Sequence, residues 1–172
     1  MLQKEPVMAV ADAIRRLIEQ HKITVYKEPK RYGRGRNQKP QKQSNTAKLR
    51  EVTVKACEGT GEIMVVLTVT GKQLPNAEDI VYAMDDAIDE VSEEYALESV
   101  ILEVKKGDIH DFAKDYIPLA GKRTINDRIQ VAGRDLEFEI SGSAFYQVNT
   151  NQMTRLYEKA REYADLSGEE VV

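Results

Sequence analysis

Two β-rich segments joined by a short turn restrict the possible fold most. Residues 49–56 and 62–70 are rich in Val, Thr and Ile, and the residues between them include Gly-Thr-Gly-Glu at 59–62. Branched side chains favour extended backbone, and glycine favours a tight reversal of the chain. We therefore predict a β-hairpin, which needs further elements to cover its apolar face.

Two amphipathic helices supply that cover. Pro6 suits a first helical turn, and the residues after it have an apolar face at helical spacing: Val7, Val10, Ala11, Ile14, Leu17 and Ile18. A second apolar face consists of Ile80, Val81, Met84, Ala87, Ile88 and Val91. The spacing predicts a second helix that continues to about Tyr95.

The remaining pattern predicts more strands and a last helix. Residues 99–105 form a short apolar run, and residues 125–131 and 136–140 indicate a hairpin that turns at 132–135. The segment up to about Thr124 gives no clear signal. A last helix is predicted from about Asn149 to Gly168, with this inner face: Met153, Leu156, Tyr157, Ala160 and Ala164. The predicted class is α+β: a mostly antiparallel sheet with two helices on one face and a C-terminal helix.

Composition excludes several kinds of protein. The chain has 172 residues, 41% of them hydrophobic, which suits one domain with a core. A single cysteine, Cys57, excludes an internal disulfide and a multi-thiolate metal site. Neither a membrane span nor a signal peptide is evident, so we expect a cytoplasmic protein. The acidic residues of the second helix lie opposite its apolar face, which indicates a solvated surface and no metal site.

A basic segment contrasts with the net charge of −4. Residues 27–50 contain nine Lys or Arg and one acidic residue, and we predict a mobile loop over 28–47. Clustered cations bind phosphate backbones because each contact releases counterions. The candidates for phosphate contacts are Arg31, Arg34, Arg36, Lys39 and Lys42. A loop that only keeps the chain soluble is the open alternative.

The most specific motif lies near the end of the chain. The segment from Ile140 resembles the RNA uracil-5-methyltransferases, whose pattern here is roughly I-S-x-x-S-F-F-Q-V-N-x-x-Q-x-x-x-L-Y. The matching residues are Ile140, Ser141, Phe145, Gln147, Val148, Asn149, Gln152, Leu156 and Tyr157. Tyr146 and Ala144 depart from it. Residues 60–67, 74–75 and 99–104 also resemble the central domain of that family.

The resemblance implies an activity and two site residues. In that family a flipped uridine is attacked at C6 by a cysteine, S-adenosylmethionine methylates C5, and a base removes the C5 proton. The resemblance places Phe145 beside the flipped base as a substrate-binding residue and Gln147 beside S-adenosylmethionine as a cofactor-binding residue. An aromatic face can stack on a base, and an amide can donate and accept hydrogen bonds. Asn149 is better explained as a helix cap.

The family's catalytic cysteine, its base and its glycine loop, D-x-x-C-G-x-G, would all follow Val172. We therefore expect no catalytic residue in this chain, a buried structural role for Cys57, and weak or absent cofactor binding. The chain is interpreted as a truncated central domain over residues 1–172. Residues 149–172 would begin the link to a missing Rossmann-like methyltransferase domain.

Two hypotheses follow from these observations. In the first, the chain belongs to an S-adenosylmethionine-dependent RNA (uracil-5-)-methyltransferase that acts on 23S ribosomal RNA rather than transfer RNA, and it is inactive alone. In the second, it is a stand-alone RNA-binding or ribosome-associated module. The first also predicts that the apolar residues of the last helix, together with Val171 and Val172, are partly exposed, pair with another molecule such as a second copy of the chain, or become disordered.

Overall fold

The computed structural model describes residues 5–27, 46–105, 115–146 and 150–165, apart from the side chain of residue 151. Within these ranges no helix is long and apolar enough to cross a membrane. The helices and strands are α1 (Glu5–Glu19), β1 (Leu49–Ala56), β2 (Glu62–Val69), α2 (Ala77–Asp89), β3 (Ala96–Val104), β4 (Asp115–Gly121), β5 (Thr124–Val131), β6 (Arg134–Ser141) and α3 (Thr150–Ala164).

The four strands β1 to β4 form one sheet in sequence order, and β5 and β6 form a separate antiparallel hairpin. In the sheet β1 is antiparallel to β2, and β3 is antiparallel to β4. The central pair β2 and β3 is parallel, because the chain crosses over through α2 between them. The α+β class is therefore confirmed, and the sheet is mixed.

Both predicted hairpins are present, and their turns use residues with positive φ. Gly61 precedes β2 with a φ of 74°. The β5–β6 turn has only two residues, Ala132 at φ 49° and Gly133 at φ 76°. Two successive positive φ values match the right-handed twist of hairpin strands. Strand β6 therefore begins two residues closer to this turn than the sequence indicated, at Arg134 instead of residue 136, whereas β5 ends at Val131 as predicted.

One strand was missed and one helix is shorter than predicted. Strand β4 contains Pro118 and has no alternation of buried and exposed residues, so the sequence carries little signal; proline is tolerated because β4 is an edge strand. Helix α2 ends at Asp89, and the prediction that it continues to about Tyr95 was wrong. The backbone N–H of Ala96 already donates to the Gly61 carbonyl, 3.0 Å away, to start the parallel strand pair.

The main core lies between the sheet and the helices α1 and α2, which pack on one face as predicted. Strand β2 is buried from residue 63 to residue 69, since it lies between two other strands and is covered on both faces. Fully buried core side chains include Val10, Ile63, Leu67, Ile80, Met84, Ile88 and Leu102. Burial of each such side chain contributes roughly 1.5–3 kcal/mol.

The opposite face of the sheet is covered by the β5–β6 hairpin. Its second, smaller core consists of Cys57, Met64, Val66, Ile101, Ile125 and Ile140. Cys57 is fully buried there, as expected for a structural thiol. The hairpin extends beyond this core and contacts α3, where Ile129, Val131 and Met153 pack together.

The inner face predicted for α3 is buried only at Met153. Leu156 is 62% exposed, and Tyr157, Ala160 and Ala164 are also exposed. The cause is geometric: in the described residues only the end of the β5–β6 hairpin packs against this helix. Exposure of these apolar residues agrees with the prediction; pairing with another copy stays a prediction. The predicted limits at Asn149 and Gly168 lie outside the described residues.

Candidate functional site

A cleft of about 240 Å³ lies between the β5–β6 hairpin, residues 141–146 and α3. The walls come from the middle of the β5–β6 hairpin, at Asp127 and residues 138–140, from the loop that follows β6, and from the first two turns of α3. The lining is mainly aromatic and apolar, and it includes Asp127, Phe138, Phe145, Tyr146, Leu156 and Tyr157. An exposed aromatic cleft of this kind suits a flat, partly apolar ligand.

Phe145, the predicted substrate-binding residue, lines this cleft and is 87% exposed. Such exposure is unusual for a phenylalanine, whose ring is normally withdrawn from water. The residues on both sides of it are held by hydrogen bonds, whereas its own ring is open to solvent. The sequence-based assignment therefore falls on an accessible aromatic ring with an anchored backbone.

Lys55 of β1 holds the backbone on the N-terminal side of Phe145. Its Nζ donates to three carbonyl oxygens: Ser141 at 2.7 Å, Gly142 at 3.0 Å and Ala144 at 2.8 Å. Lys55 is only 5% exposed, and this burial lowers the pKa of its ammonium group. Sequence reasoning missed Lys55, because strand alternation places it on the polar side of β1, where a cation is normally solvated.

Tyr146 holds the C-terminal side of Phe145. Its hydroxyl donates to Asp127 Oδ2 at 2.7 Å, and burial together with this hydrogen bond raises the pKa of Tyr146. Asp127 is 1% exposed, and its Oδ1 accepts from the backbone N–H groups of Gly59 at 2.8 Å and Arg128 at 2.9 Å. A buried carboxylate requires such donors, so Asp127 ties the motif to β5 and to the β1–β2 turn.

Gly59 is needed for this arrangement because the β1–β2 turn lies directly against β5. A methyl group at Gly59 would overlap the carbonyl oxygen of Arg128. A second contact joins the same regions: Glu62 Oε2 accepts from the backbone N–H of Asn126 at 2.7 Å. The hairpin is therefore held to the sheet by polar contacts as well as by the smaller core.

A separate polar cluster lies on the face of the sheet that the β5–β6 hairpin covers. Glu103 accepts from the hydroxyl of Thr68 at 2.6 Å and that of Tyr116 at 3.0 Å, and Lys105 Nζ lies 3.3 Å from it. Burial opposes ionisation of Glu103, but these hydrogen bonds outweigh it and lower the pKa of its carboxyl group. Burial and the Glu103 contact raise the pKa of Tyr116 to about 12.

The other predicted site residues lie outside the described residues: Gln147, Arg31, Arg34, Arg36, Lys39 and Lys42. The cofactor-binding and phosphate-binding assignments therefore stay predictions. Of the predicted site residues, Phe145 alone falls within the described ranges. The contacts that anchor its loop come from Lys55 and Asp127, which the sequence did not indicate.

The described residues do not build a site for S-adenosylmethionine. Two carboxylates line the cleft. Asp127 already accepts three hydrogen bonds, which leaves Glu139, and the remaining lining is apolar or aromatic. The polar groups of the cofactor would find few partners there. In the same part of the chain, no three His, Cys, Asp or Glu residues converge as a metal site.

The fold is shared with part of a methyltransferase of known structure. The Pyrococcus abyssi tRNA (uracil-54, C5)-methyltransferase, solved in complex with S-adenosyl-L-homocysteine, superposes with a TM-score of 0.56 at 20% sequence identity. The match covers 90% of this chain and 31% of that enzyme. At this identity the likeness establishes the fold alone.

Sequence relatives establish the family, although no protein-family model matches the chain. An uncharacterized RNA methyltransferase of Caldanaerobacter subterraneus is 37% identical over 72% of this chain and 25% of its own length. One of Clostridium tetani is 30% identical over 99% of this chain and 32% of its own length. The chain belongs to this RNA methyltransferase family, and it spans about a quarter to a third of the relatives it matches.

Proposed function

We propose that this chain is the central domain of a cytoplasmic, S-adenosylmethionine-dependent RNA (uracil-5-)-methyltransferase that acts on 23S ribosomal RNA. Its role is to position the RNA and to border the active site. The catalytic cysteine, the base and the glycine loop for the cofactor belong to other parts of the longer protein. The chain alone is therefore inactive as a methyltransferase.

Three observations support this proposal. The relatives are named RNA methyltransferases, which supports methyl transfer to RNA. The structural neighbour is named a tRNA (uracil-54, C5)-methyltransferase and was solved with S-adenosyl-L-homocysteine, which supports uracil C5 as the target atom and S-adenosylmethionine as the donor. The residues 140–157 match the uracil-5-methyltransferase pattern, and among them Phe145 is open to a ligand.

The exposed ring of Phe145 is the observation on which the role of this chain depends. An enzyme that modifies a base removes it from its stack at a cost of a few kcal/mol. An aromatic side chain that stacks on the base offsets roughly 1–3 kcal/mol of that cost. Phe145 offers such a surface, and its neighbours in the backbone are fixed, so the ring is held ready before the RNA arrives.

The stacking role can be tested on the chain itself with a short fluorescein-labelled oligouridine. We expect Phe145→Ala to weaken binding about tenfold, within the range measured for removal of one stacking partner. Tyr82→Ala, which removes an exposed aromatic ring from α2, is the matched control and should leave the affinity unchanged. Equal affinities of the Phe145→Ala variant and the unchanged chain would contradict the role of Phe145.

The basic segment is tested by the dependence of binding on salt. Replacement of Arg31, Arg34 and Arg36 by Gln should reduce the slope of log affinity against log salt by about 0.7 for each phosphate of single-stranded RNA that is no longer neutralised. A slope that does not change would favour the solubilising alternative for this loop.

The substrate is tested on the full-length protein that contains this chain. It is incubated with 23S ribosomal RNA or with transfer RNA and a labelled methyl donor, and mass spectrometry identifies the modified nucleoside. We expect 5-methyluridine in the ribosomal RNA. Methylation of transfer RNA alone would overturn the choice of substrate, and a different modified base would overturn the uracil-5 assignment.

A further inference from the structure

The loop that carries Phe145 is held at two points by side chains from other strands. Lys55 contacts three of its carbonyl groups, those of Ser141, Gly142 and Ala144, all within 3.0 Å. An ammonium group has three N–H donors, so these contacts use its full capacity. The loop also closes on itself through the backbone N–H of Ala144, which donates to the Ser141 carbonyl at 3.2 Å.

The second point lies on the other side of Phe145. Tyr146 donates to the buried carboxylate of Asp127, which is itself fixed by the backbone of Gly59. The carbonyl of residue 144 and the hydroxyl of residue 146 are therefore both occupied, while the ring between them is exposed. This arrangement fixes the backbone direction at Phe145 and leaves its side chain accessible.

We propose that Lys55 is a positioning residue: its ammonium group fixes the loop 141–146 and so aims the Phe145 ring at the RNA base. This inference rests on the proposed function of Phe145. Lys55 does not touch the substrate in this arrangement, because it is buried beneath the loop. It acts through the three carbonyl groups that it holds.

The energetics favour a specific role over simple packing. A buried ammonium group loses its hydration, so Lys55 is unfavourable at a place where an apolar side chain would pack well. The cost is offset only because three carbonyl oxygens converge on it with good geometry. Removal of the ammonium group would take a shared donor from three backbone groups in four consecutive residues. Loss of this donor should therefore change the conformation of the loop 141–146, which carries Phe145.

The test uses the chain labelled with 4-fluorophenylalanine, which replaces its three phenylalanines. The Phe145 signal is assigned from the Phe145→Leu variant, and Phe138 serves as an internal reference on the neighbouring strand. Lys55→Met removes the ammonium group and keeps most of the side-chain length. Lys72→Met is the matched control, since it removes the same charge from a surface ion pair with Asp115.

We expect Lys55→Met to shift or broaden the Phe145 signal, to leave the Phe138 signal in place, and to weaken oligouridine binding about three- to tenfold, less than or equal to the effect of Phe145→Ala. Lys72→Met should change neither signal. An unchanged Phe145 signal in a folded Lys55→Met variant would overturn the inference. Equal changes at Phe138 and Phe145 would also overturn it, because they indicate general destabilisation.

The two proposals fail in different ways. If Phe145→Ala binds oligouridine normally, the proposed function of Phe145 is wrong, whatever the fluorine spectrum of Lys55→Met shows. If Phe145→Ala weakens binding but Lys55→Met does not, the function stands and the positioning role is wrong.

If Lys55→Met does not fold, the inference is tested by a measurement on the unchanged chain. Nitrogen-15 spectra of labelled lysine should show that the ammonium protons of Lys55, the buried lysine among the described residues, exchange slowly with water. Fast exchange of all the lysine ammonium groups would overturn the inference.

Discussion

Removal of the Tyr146 hydroxyl tests directly how the loop 141–146 is attached to β5. In Tyr146→Phe the ring is retained, so the packing in the smaller core is kept and no cavity forms. The change removes the donor that reaches Asp127 Oδ2 at 2.7 Å. The other oxygen of this carboxylate, Oδ1, keeps its two backbone donors, Gly59 and Arg128.

The expected fall in stability follows from the burial of Asp127. This carboxylate is 1% exposed, so water cannot easily replace the missing donor. A hydrogen bond to a charged group contributes about 1.5–3 kcal/mol, and we expect Tyr146→Phe to lower the free energy of unfolding by about 2 kcal/mol. For a chain of this size that corresponds to a fall in Tm of about 4–8 °C.

The assay is urea denaturation at neutral pH, followed by circular dichroism. Tyr82→Phe, at an exposed position on α2, is the control and should change the free energy of unfolding by less than about 0.5 kcal/mol. A double-mutant cycle with Asp127→Asn isolates the contact, and its coupling energy should lie between about 0.5 and 3 kcal/mol.

Alkaline pH gives the same contact an independent signature. The pKa of Tyr146 is raised in the folded chain, so its contribution to stability is present below the unfolded value of about 10 and is lost as pH rises through the folded pKa. The unchanged chain should therefore lose more stability above pH 10 than Tyr146→Phe does. The reasoning is refuted if the variant is as stable as the unchanged chain at neutral pH, or if the coupling energy is zero.

Three further predictions concern other parts of the fold. Gly59→Ala places a methyl group on the Arg128 carbonyl oxygen and should cost at least about 2 kcal/mol in urea denaturation; a smaller effect would show that the β1–β2 turn can move away from β5. Leu156→Ala removes an exposed side chain and should change stability by less than about 0.5 kcal/mol, whereas a concentration-dependent destabilisation would show that another copy covers it. Tyr116 should ionise near pH 12 in a spectrophotometric titration; its contribution to stability is lost between pH 10 and 12, and Tyr116→Phe should remove this late step.

The sequence predicted those elements whose pattern is local. The hairpin of β1 and β2, the helix α1 and the later hairpin each follow from branched residues, turn residues or helical spacing within a short window. Strand β4 was not predicted, because it contains Pro118 and its half-buried residues show no regular alternation of apolar and polar side chains. The end of α2 was misplaced because it depends on a contact that is remote in sequence. Ala96 pairs with Glu62 of β2, so the helix has to end before Ala96.

The site was predicted only in part, for a similar reason. Phe145 was singled out because a motif carries it, and the structure shows that its ring lines the cleft; its role in substrate binding stays a prediction. Lys55 and Asp127 were not found, because their roles depend on partners 86 and 19 residues away along the chain. The alternation of β1 indicates a solvated lysine, and only the fold shows that the loop after β6 covers it.

The contrast between β2 and β6 has a consequence for how the chain opens. Strand β2 is buried from residue 63 to residue 69, whereas β6 is exposed over its first six residues. Amide protons of β2 should exchange with deuterium only through global unfolding, and those of β6 through local opening of the hairpin. Such an opening would free Tyr146 from Asp127 but leave Lys55, which belongs to the sheet, still bonded to the loop. The Phe145 loop would then remain attached to the slowly exchanging half of the chain while the hairpin beside it fluctuates.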